Sequence, residues 1–395
     1  MFMKRRLIYI TAAITAAVTI IVCVLLSWHL TERTIWDNGY IPLEKAMKAA
    51  GYDDCGGGKF TTVSNGIEIE VCFDFTNNIC TKNLYSFDIS GKYITADSSY
   101  FIDSKTAGDI TNKNITVSNG KITAQDIDYA AHQWTTEFAP IVAHSGGDVR
   151  AGTYTDYYTN SLEGIVQNYD LGFRLFEMDF YLTSDDNLAV VHDWEHYANY
   201  DGTAPTAKQW LEMKTHGYPQ TEGVYYTSML IGDLLDQMLI NRDMFVITDT
   251  KSFEVSEQET RRQFEIIRDE AMKRDPALLK RIIPQIYNEQ MYDLVMEVYE
   301  FQDIIYTLYA TASTSARAAE FVADKENIKV VTVRKTDERF LNSDLAGKLK
   351  PYDKLVYVHT IKYYNEFADC AKYGAYGFYA HHLTPSDYEN FAKYK

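Results

Sequence analysis

From Pro140 onward, short apolar runs alternate with segments of helical character, and this rhythm limits the possible folds more than any other feature. The runs, in chain order, are IVAH, FRLFEMDFYL, MFVITDTKS, RIIPQIYN, IIYTLYA, IKVVTVRK, KLVYVHTI and YGFYAHHL, and a helix or turn follows each. Repeated βα units with apolar strands predict a parallel sheet covered by helices. Eight such units over residues 138–395 favour a (β/α)8 TIM barrel, with a doubly wound open sheet as the alternative.

Residues 31–137 have a different character. Segments such as GIEIEVCFDF, LYSFDIS, KYITAD and NITVSNGKIT alternate apolar and polar residues and are separated by Asn and Gly. These patterns are typical of strands and hairpins and predict a small β-rich module. Neither paired carboxylates nor histidines stand there at a useful spacing, so we expect a packing, spacing or partner-binding role.

The pattern of residues 1–30 predicts a membrane anchor. Lys4, Arg5 and Arg6 precede an uncharged apolar run from Leu7 to Leu26, which as a helix spans the roughly 30 Å of a hydrocarbon core. A cleaved signal peptide is the alternative, but the run exceeds the usual apolar core of about 7–15 residues and no A-x-A-like site follows. The basic flank predicts a single-pass protein of the cell membrane with residues from about 31 onward outside the cytoplasm.

The formal net charge is −17, and the part beyond the basic N-terminal flank is more acidic still. Such a surface repels nucleic acid and anionic lipid headgroups. We therefore expect no nucleic-acid partner, whereas divalent cations would be attracted.

Carboxylates stand at the ends of two successive barrel strands. Glu177 and Asp179 lie two residues apart in FEMDF, as do Asp249 and Lys251 in VITDTKS. Side chains two apart on a strand point to the same face, and the carboxyl ends of barrel strands carry the chemistry in this fold. Three carboxylates so close together are unfavourable without a cation. Oxygen ligands favour a hard divalent cation, Mg²⁺ or Ca²⁺.

Two histidines follow apolar runs in the same part of the chain. His144 ends the first strand, and His192 follows LAVV after the second. A single histidine at a strand end is more often structural than catalytic. Together with the carboxylates and Lys251, however, the pair predicts a phosphodiester site with general acid and base catalysis.

The run AHSGG…YTNSLEGIVQNYDLGFRLFEMDFYLTSDDNLAVVHDW, joined later by VITDTK, resembles the glycerophosphodiester phosphodiesterase family, in the barrel superfamily that includes phosphatidylinositol-specific phospholipase C. The resemblance covers residues 140–395 and is strongest from 141 to 194. It implies that Glu177, Asp179 and Asp249 are metal ligands and that His144 and His192 are the acid/base pair. It also implies that Lys251 contacts the phosphate and that Asn160 supports the first loop.

Three positions depart from the family's pattern. Ser145 stands where the family usually has a phosphate-binding arginine, Asp249 where it commonly has glutamate, and residues 186–187 read Asp-Asn instead of Asp-Gly. Loss of the arginine removes a bidentate phosphate donor. Ser145 itself, the backbone N–H groups of residues 146–147, or Arg150 are the candidates to compensate.

Residues at the remaining strand ends are predicted to line a substrate pocket: Gln285, Tyr287 and His359, with Tyr309, Tyr379 and His381 beside them. The sequence thus predicts a metal-dependent phosphodiesterase of lipid metabolism that releases glycerol 3-phosphate and an alcohol. An enzyme like sphingomyelinase D or lysophospholipase D, yielding a cyclic phosphate or lysophosphatidate, is one alternative. An inactive barrel that serves as a binding or scaffold protein is the other.

Overall fold

The computed structural model describes residue 18 and residues 34–394 except 65, 97, 199–202 and 252–255. It divides into two compact units, with the division between Ile127 and Asp128. The predicted membrane helix lies outside the described residues apart from Val18, so the anchor stays a prediction. In the described part of the chain, no helix is long and apolar enough to cross a membrane.

The first unit is β-rich. Its strands are β1 (Tyr40–Pro42), β2 (Asp53–Gly56), β3 (Lys59–Ser64), β4 (Ile67–Asp74), β5 (Ile79–Lys82), β6 (Tyr85–Asp88), β7 (Tyr93–Ala96), β8 (Ser99–Asp103), β9 (Lys113–Ser118) and β10 (Lys121–Asp126). They form sheets in the orders β2-β3-β4-β5-β6, β1-β8-β7 and β10-β9. Helices α1 (Leu43–Ala49) and α2 (Ser104–Thr111) accompany them. Alternate residues of β4, among them Ile69, Val71 and Phe73, enter its core.

The second unit is a closed barrel of eight parallel strands. These are β11 (Ile141–Ala143), β14 (Leu175–Leu182), β17 (Phe245–Asp249), β18 (Ile282–Ile286), β19 (Ile304–Thr307), β20 (Ile328–Arg334), β21 (Leu355–Ile361) and β22 (Gly377–Ala380). They pair in that order, and β11 pairs with both β14 and β22, which closes the sheet. The predicted TIM barrel is confirmed, and its strands coincide with the eight apolar runs.

Helices surround the barrel. They are α3 (Leu162–Asp170), α4 (Trp194–Ala198), α5 (Ala207–Glu212), α6 (Ile231–Ile240), α7 (Glu257–Arg274), α8 (Glu289–Val298), α9 (Ser315–Val322), α10 (Glu338–Leu341), α11 (Leu345–Leu349), α12 (Asn365–Ala371) and α13 (Pro385–Ala392). Several begin at a side-chain cap that accepts from a free backbone N–H. Ser161, Ser256 and Asn288 cap α3, α7 and α8 in this way, which helps to set where each helix leaves its strand.

A short antiparallel extension lies beside the second barrel strand. Before it, β12 (Val149–Ala151) and β13 (Tyr154–Asp156) form a hairpin, while β15 (Leu188–Val190) pairs with the end of β14 and with β16 (Met229–Leu230). The backbone N–H of Val191 donates to the carbonyl of Asp179 at 3.0 Å. This pairing turns the chain back and brings the next residue, His192, beside the end of β14.

The loop after β11 depends on a glycine. Gly147 has φ of +85°, and a Cβ there would lie 2.5 Å from the side-chain amide of Asn168. That amide cannot move freely, because its Nδ2 donates to the carbonyls of Asp148 and Gly164, each at 2.8 Å. The Ser-Gly-Gly turn therefore packs directly against α3.

We expect Gly147→Ala to lower the free energy of unfolding by about 2 kcal/mol or more, since backbone strain and overpacking add. Gly152→Ala is the matched control: its φ is also positive, +54°, but no atom lies within 4 Å of the added Cβ. That variant should lose only the strain, about 1 kcal/mol. Chemical denaturation measures both, and equal losses would contradict the packing argument.

Candidate functional site

Three carboxylates converge at the carboxyl ends of β14 and β17. Asp179 and Asp249 face each other in the register of these two parallel strands, and Glu177 lies two residues before Asp179 on the same face. One oxygen from each of the three lies within 4.8 Å of the others, and all three residues are buried. The strand-end pattern in the sequence thus becomes one acidic cluster.

Lys251 compensates part of this charge. Its Nζ lies 2.5 Å from Asp179 Oδ1 and 2.7 Å from Asp249 Oδ2, so one ammonium bridges two carboxylates. No lysine or arginine among the described residues forms an ion pair with Glu177. Three ionised carboxylates and one ammonium leave a charge of about −2, which a single divalent cation would neutralise. The donor set fits a hard divalent cation.

The pKa directions follow the same electrostatics. Burial and the charges of Asp179 and Asp249 raise the pKa of Glu177 well above its usual range. Burial also disfavours ionised Asp179, but Lys251 and His192 outweigh it and leave the pKa of Asp179 below its usual value. Burial likewise disfavours charged Lys251, yet the three carboxylates raise its pKa. Glu177 is therefore the carboxyl group most in need of a further cation.

Neutral hydrogen-bond donors also contact the carboxylates of the cluster. The backbone N–H of Ser145 donates to Glu177 at 2.8 Å, and its hydroxyl donates to Asp179 at 2.9 Å. Asn160 Nδ2 donates to Asp179 Oδ2 at 2.8 Å and its Oδ1 accepts from the Asp179 N–H. Both residues are buried and hold carboxylates; neither faces the open cavity.

Two tyrosines hold the third carboxylate. The hydroxyl of Tyr287 donates to Asp249 Oδ1, and that of Tyr309 donates to Asp249 Oδ2 at 3.2 Å. Burial and the charge of Asp249 raise the pKa of Tyr309 above its usual value, so the phenol remains a donor.

His144 lies between the acidic cluster and a buried chain of polar groups. Its Nε2 is 3.7 Å from Glu177 Oε2. Its Nδ1 is 3.0 Å from His381 Nε2, and His381 Nδ1 is 3.2 Å from Asp148 Oδ1. Burial and the charge of His381 lower the pKa of His144 well below its usual value.

His192 has a different environment. Its Nδ1 is 2.8 Å from Asp193 Oδ2, and its ring contacts those of Tyr158 and Tyr197 edge-on. Burial disfavours the imidazolium, but the charge of Asp179 and the hydrogen bond to Asp193 raise the pKa of His192 above its usual value. The two histidines therefore differ in charge preference.

A cavity of about 650 Å³ opens above the cluster. Nine of the residues predicted for the site or its pocket line it, namely His144, Glu177, His192, Asp249, Lys251, Gln285, Tyr309, His359 and Tyr379. Gln285 Oε1 accepts from the hydroxyl of Tyr379 at 3.0 Å. The other five, Asp179, Ser145, Asn160, Tyr287 and His381, lie behind this surface. Asn160 binds Asp179, and the remaining four bind groups that line the cavity.

The sequence reasoning missed several lining residues. Arg334 and Lys335 follow the apolar run of β20 and Thr360 follows that of β21, so the strand-end rule applied to all strands would have found them. Tyr158 stands in a loop after β13, and no local pattern marks it. Asp148 is likewise a loop residue whose partners, His381 and His382, directly follow the last strand.

Left-handed backbone is concentrated around the site. Ser145, Tyr158, Asn160 and Lys251 have φ between +45° and +57°, a region that costs non-glycine residues roughly 1–2 kcal/mol each. Such strain persists where surrounding contacts over-determine the conformation, and functional sites are where it collects. For Ser145, Asn160 and Lys251 these contacts are hydrogen bonds and ion pairs to the carboxylates. For Tyr158 they are ring contacts with His144 and His192.

The fold and this acidic cluster define a class, TIM barrels with buried carboxylates gathered at the carboxyl ends of their strands. No family model and no curated protein matches the sequence, but solved structures share the fold. A glycerophosphodiester phosphodiesterase from Parabacteroides distasonis ATCC 8503 aligns with TM-score 0.52 and 13% identity over 65% of this chain and 98% of that one. A protein of Silicibacter pomeroyi DSS-3, named as a glycerophosphoryl diester phosphodiesterase, aligns with TM-score 0.50 and 13% identity over 64% and 92%.

These likenesses confirm the family resemblance of the sequence at the level of the fold. The chain has the barrel of glycerophosphodiester phosphodiesterases.

His359 provides a pH test of the cavity wall. The residue is half-buried, and its Nε2 is a buried atom with no hydrogen-bond partner among the described residues. Burial, with a smaller contribution from the charge of Arg334, lowers the pKa of His359 to about 3, whereas an unfolded histidine titrates near 6.5. Between these values the unfolded chain binds a proton that the folded chain does not. The contribution of His359 to the free energy of unfolding is therefore complete above pH 6.5 and decreases as the pH falls below that value.

We expect the His359 contribution to reach about 1.4 kcal/mol per pH unit below pH 6. His359→Asn should make the free energy of unfolding fall less steeply between pH 6.5 and 4 than in the wild type. Urea denaturation at a series of pH values measures the slope, with both proteins referenced to pH 8. Parallel curves would show that His359 is not buried in its neutral form.

Proposed function

We propose that this protein is a metal-dependent phosphodiesterase that hydrolyses glycerophosphodiesters to glycerol 3-phosphate and an alcohol. The observation that carries the proposal is the placement of a three-carboxylate cluster and two histidines of opposite charge preference on one cavity. Both features lie at the carboxyl ends of barrel strands, where enzymes of this fold place their chemistry. The shared fold supports the same reaction.

Glu177, Asp179 and Asp249 would hold the cation, Mg²⁺ or Ca²⁺. When bound, it supplies positive charge that polarises a non-bridging phosphoryl oxygen and offsets the charge developing there. Lys251 fixes Asp179 and Asp249 in place through its two ion pairs. Ser145 and Asn160 orient the carboxylates from behind and thereby set the donor directions.

Hydrogen bonding supports His144 as the general base. The carboxylate of Asp148 accepts the Nδ1–H of His381, which leaves His381 Nε2 as an acceptor for the Nδ1–H of His144. His144 Nε2 then carries its lone pair toward the cluster, where it takes the proton of the attacking hydroxyl. That hydroxyl belongs to water, or to the substrate when a cyclic phosphate forms first.

His192 is then the general acid. Asp193 accepts its Nδ1–H, and the neighbouring carboxylates stabilise the imidazolium. In this form His192 donates a proton to the leaving alkoxide, so the alcohol departs neutral. A proton enters at one histidine and leaves at the other, and the pair must be reset before the next turnover.

The cavity wall favours a polar substrate over a phospholipid. Among the described residues that line it, Ala310 is the only aliphatic one; the remainder are charged, polar or aromatic. An acyl chain would find aromatic faces there but almost no aliphatic side chains. The sphingomyelinase D-like alternative therefore has less support, and the intact polar set also weighs against an inactive scaffold. The membrane anchor and an extracytoplasmic location stay predictions from residues 1–30.

Incubating the purified protein with glycerophosphodiesters and lysophospholipids, with Mg²⁺, Ca²⁺ or excess chelator, tests the proposal. We expect ³¹P NMR to show release of glycerol 3-phosphate that chelator abolishes. A cyclic phosphate or lysophosphatidate would transfer the function to the phospholipase alternative. Absence of any product with either metal would favour the scaffold alternative.

Leaving-group dependence distinguishes acid from base. p-Nitrophenolate leaves without protonation, so His192→Ala should retain most of its activity on a p-nitrophenyl phosphodiester while losing about 100-fold or more on an alkyl glycerophosphodiester. His144→Ala should lose activity on both, because each reaction needs the base. If His144→Ala is the variant that the good leaving group rescues, the two roles are reversed.

A further inference from the structure

The cavity needs a cation that can face a phosphate, and most of its basic side chains are already engaged. Lys251 is bound to Asp179 and Asp249. Lys335 forms an ion pair with Glu366. Engaged cations serve a bound phosphate poorly, because each new contact competes with an existing carboxylate.

Arg334 is different. It ends β20, lines the cavity and is exposed. Within the described part of the chain, no carboxylate forms an ion pair with its guanidinium. The central carbon of the guanidinium lies 5.3 Å from the ring centroid of Tyr309, a distance that suits a cation–π contact. The planar group is therefore held over an aromatic face with its N–H donors uncommitted.

Tyr309 connects this arginine to the acidic cluster. Its hydroxyl donates to Asp249 Oδ2 at 3.2 Å, while its ring lies beneath Arg334. A single side chain thus contacts both a proposed metal ligand and the free guanidinium, and Arg334, Tyr309 and Asp249 all line the same cavity.

We propose that Arg334 binds the non-bridging phosphoryl oxygens of the substrate and makes the site specific for a phosphodiester with an ionised phosphate. The guanidinium offers a planar pair of N–H donors that matches two phosphate oxygens, which an ammonium cannot do. The proposal rests on the proposed function, whose phosphate subsite it assigns. Arg334 would act by contact with the substrate and not through another residue.

The candidates nearer to His144 are occupied. The hydroxyl and N–H of Ser145 donate to Asp179 and Glu177. Arg150 lies 3.2 Å from Asp148 and does not line the cavity. The arginine function absent beside His144 is therefore supplied across the barrel mouth, from the end of β20.

Binding of sn-glycerol 3-phosphate to the full-length protein, measured by calorimetry in the presence of Mg²⁺, tests this without requiring turnover. Arg334→Met should weaken binding about ten- to hundredfold, as expected for loss of a charge-assisted bidentate contact. The affinity of Arg334→Lys should lie between those of the wild type and Arg334→Met, because lysine keeps the charge but not the paired donors. Arg261→Met is the control: Arg261 pairs with Glu297 outside the cavity and should bind like wild type.

Hydrolysis assays on the same proteins separate the two proposals. The wild type could bind glycerol 3-phosphate but hydrolyse no diester, while Arg334→Met binds glycerol 3-phosphate more weakly. That result would overturn the proposed function but support the phosphate subsite. If the wild type is active and Arg334→Met binds glycerol 3-phosphate with an affinity within twofold of the wild type, only the role of Arg334 is overturned. Wild type that fails to bind glycerol 3-phosphate would overturn the subsite. Circular dichroism of each variant ensures that a loss is compared between folded proteins.

Discussion

The burial of three carboxylates in one place is the constraint on which the site depends. Glu177, Asp179 and Asp249 meet at the ends of β14 and β17, and among the described residues Lys251 is the only lysine or arginine that forms ion pairs with them. Uncompensated charge in a buried position is costly. The surrounding structure meets this demand with hydrogen-bond donors, and the negative charge that remains fits a divalent cation.

Much of the local backbone serves the same purpose. Ser145, Asn160 and Lys251 each adopt left-handed φ values, and each donates to a carboxylate of the cluster. Their strain is offset by charge-assisted hydrogen bonds, which are stronger than neutral ones. Ser145, the residue after His144, thus donates to the carboxylates of the acidic cluster and does not extend into the cavity.

The strand-end rule predicted much of the candidate site. Apolar runs identify the eight barrel strands, and the fold then requires the residues after each run to gather at one mouth. His144, Glu177, Asp249 and Lys251 follow from that rule and line the cavity. It could not separate residues that face the cavity from those behind it, as with Tyr287, because side-chain direction at a strand end depends on local turns.

The order of strands and helices and the residue types at the strand ends follow from the amino-acid sequence, because period and polarity are properties of the chain. Which of those residues meet depends on how the chain folds. Asp148 and His381 are separated by 233 positions, and barrel closure alone puts them in contact and so fixes which nitrogen of His144 faces the carboxylates. The availability of Arg334 was also decided there, since an ion pair depends on which carboxylates folding brings within reach.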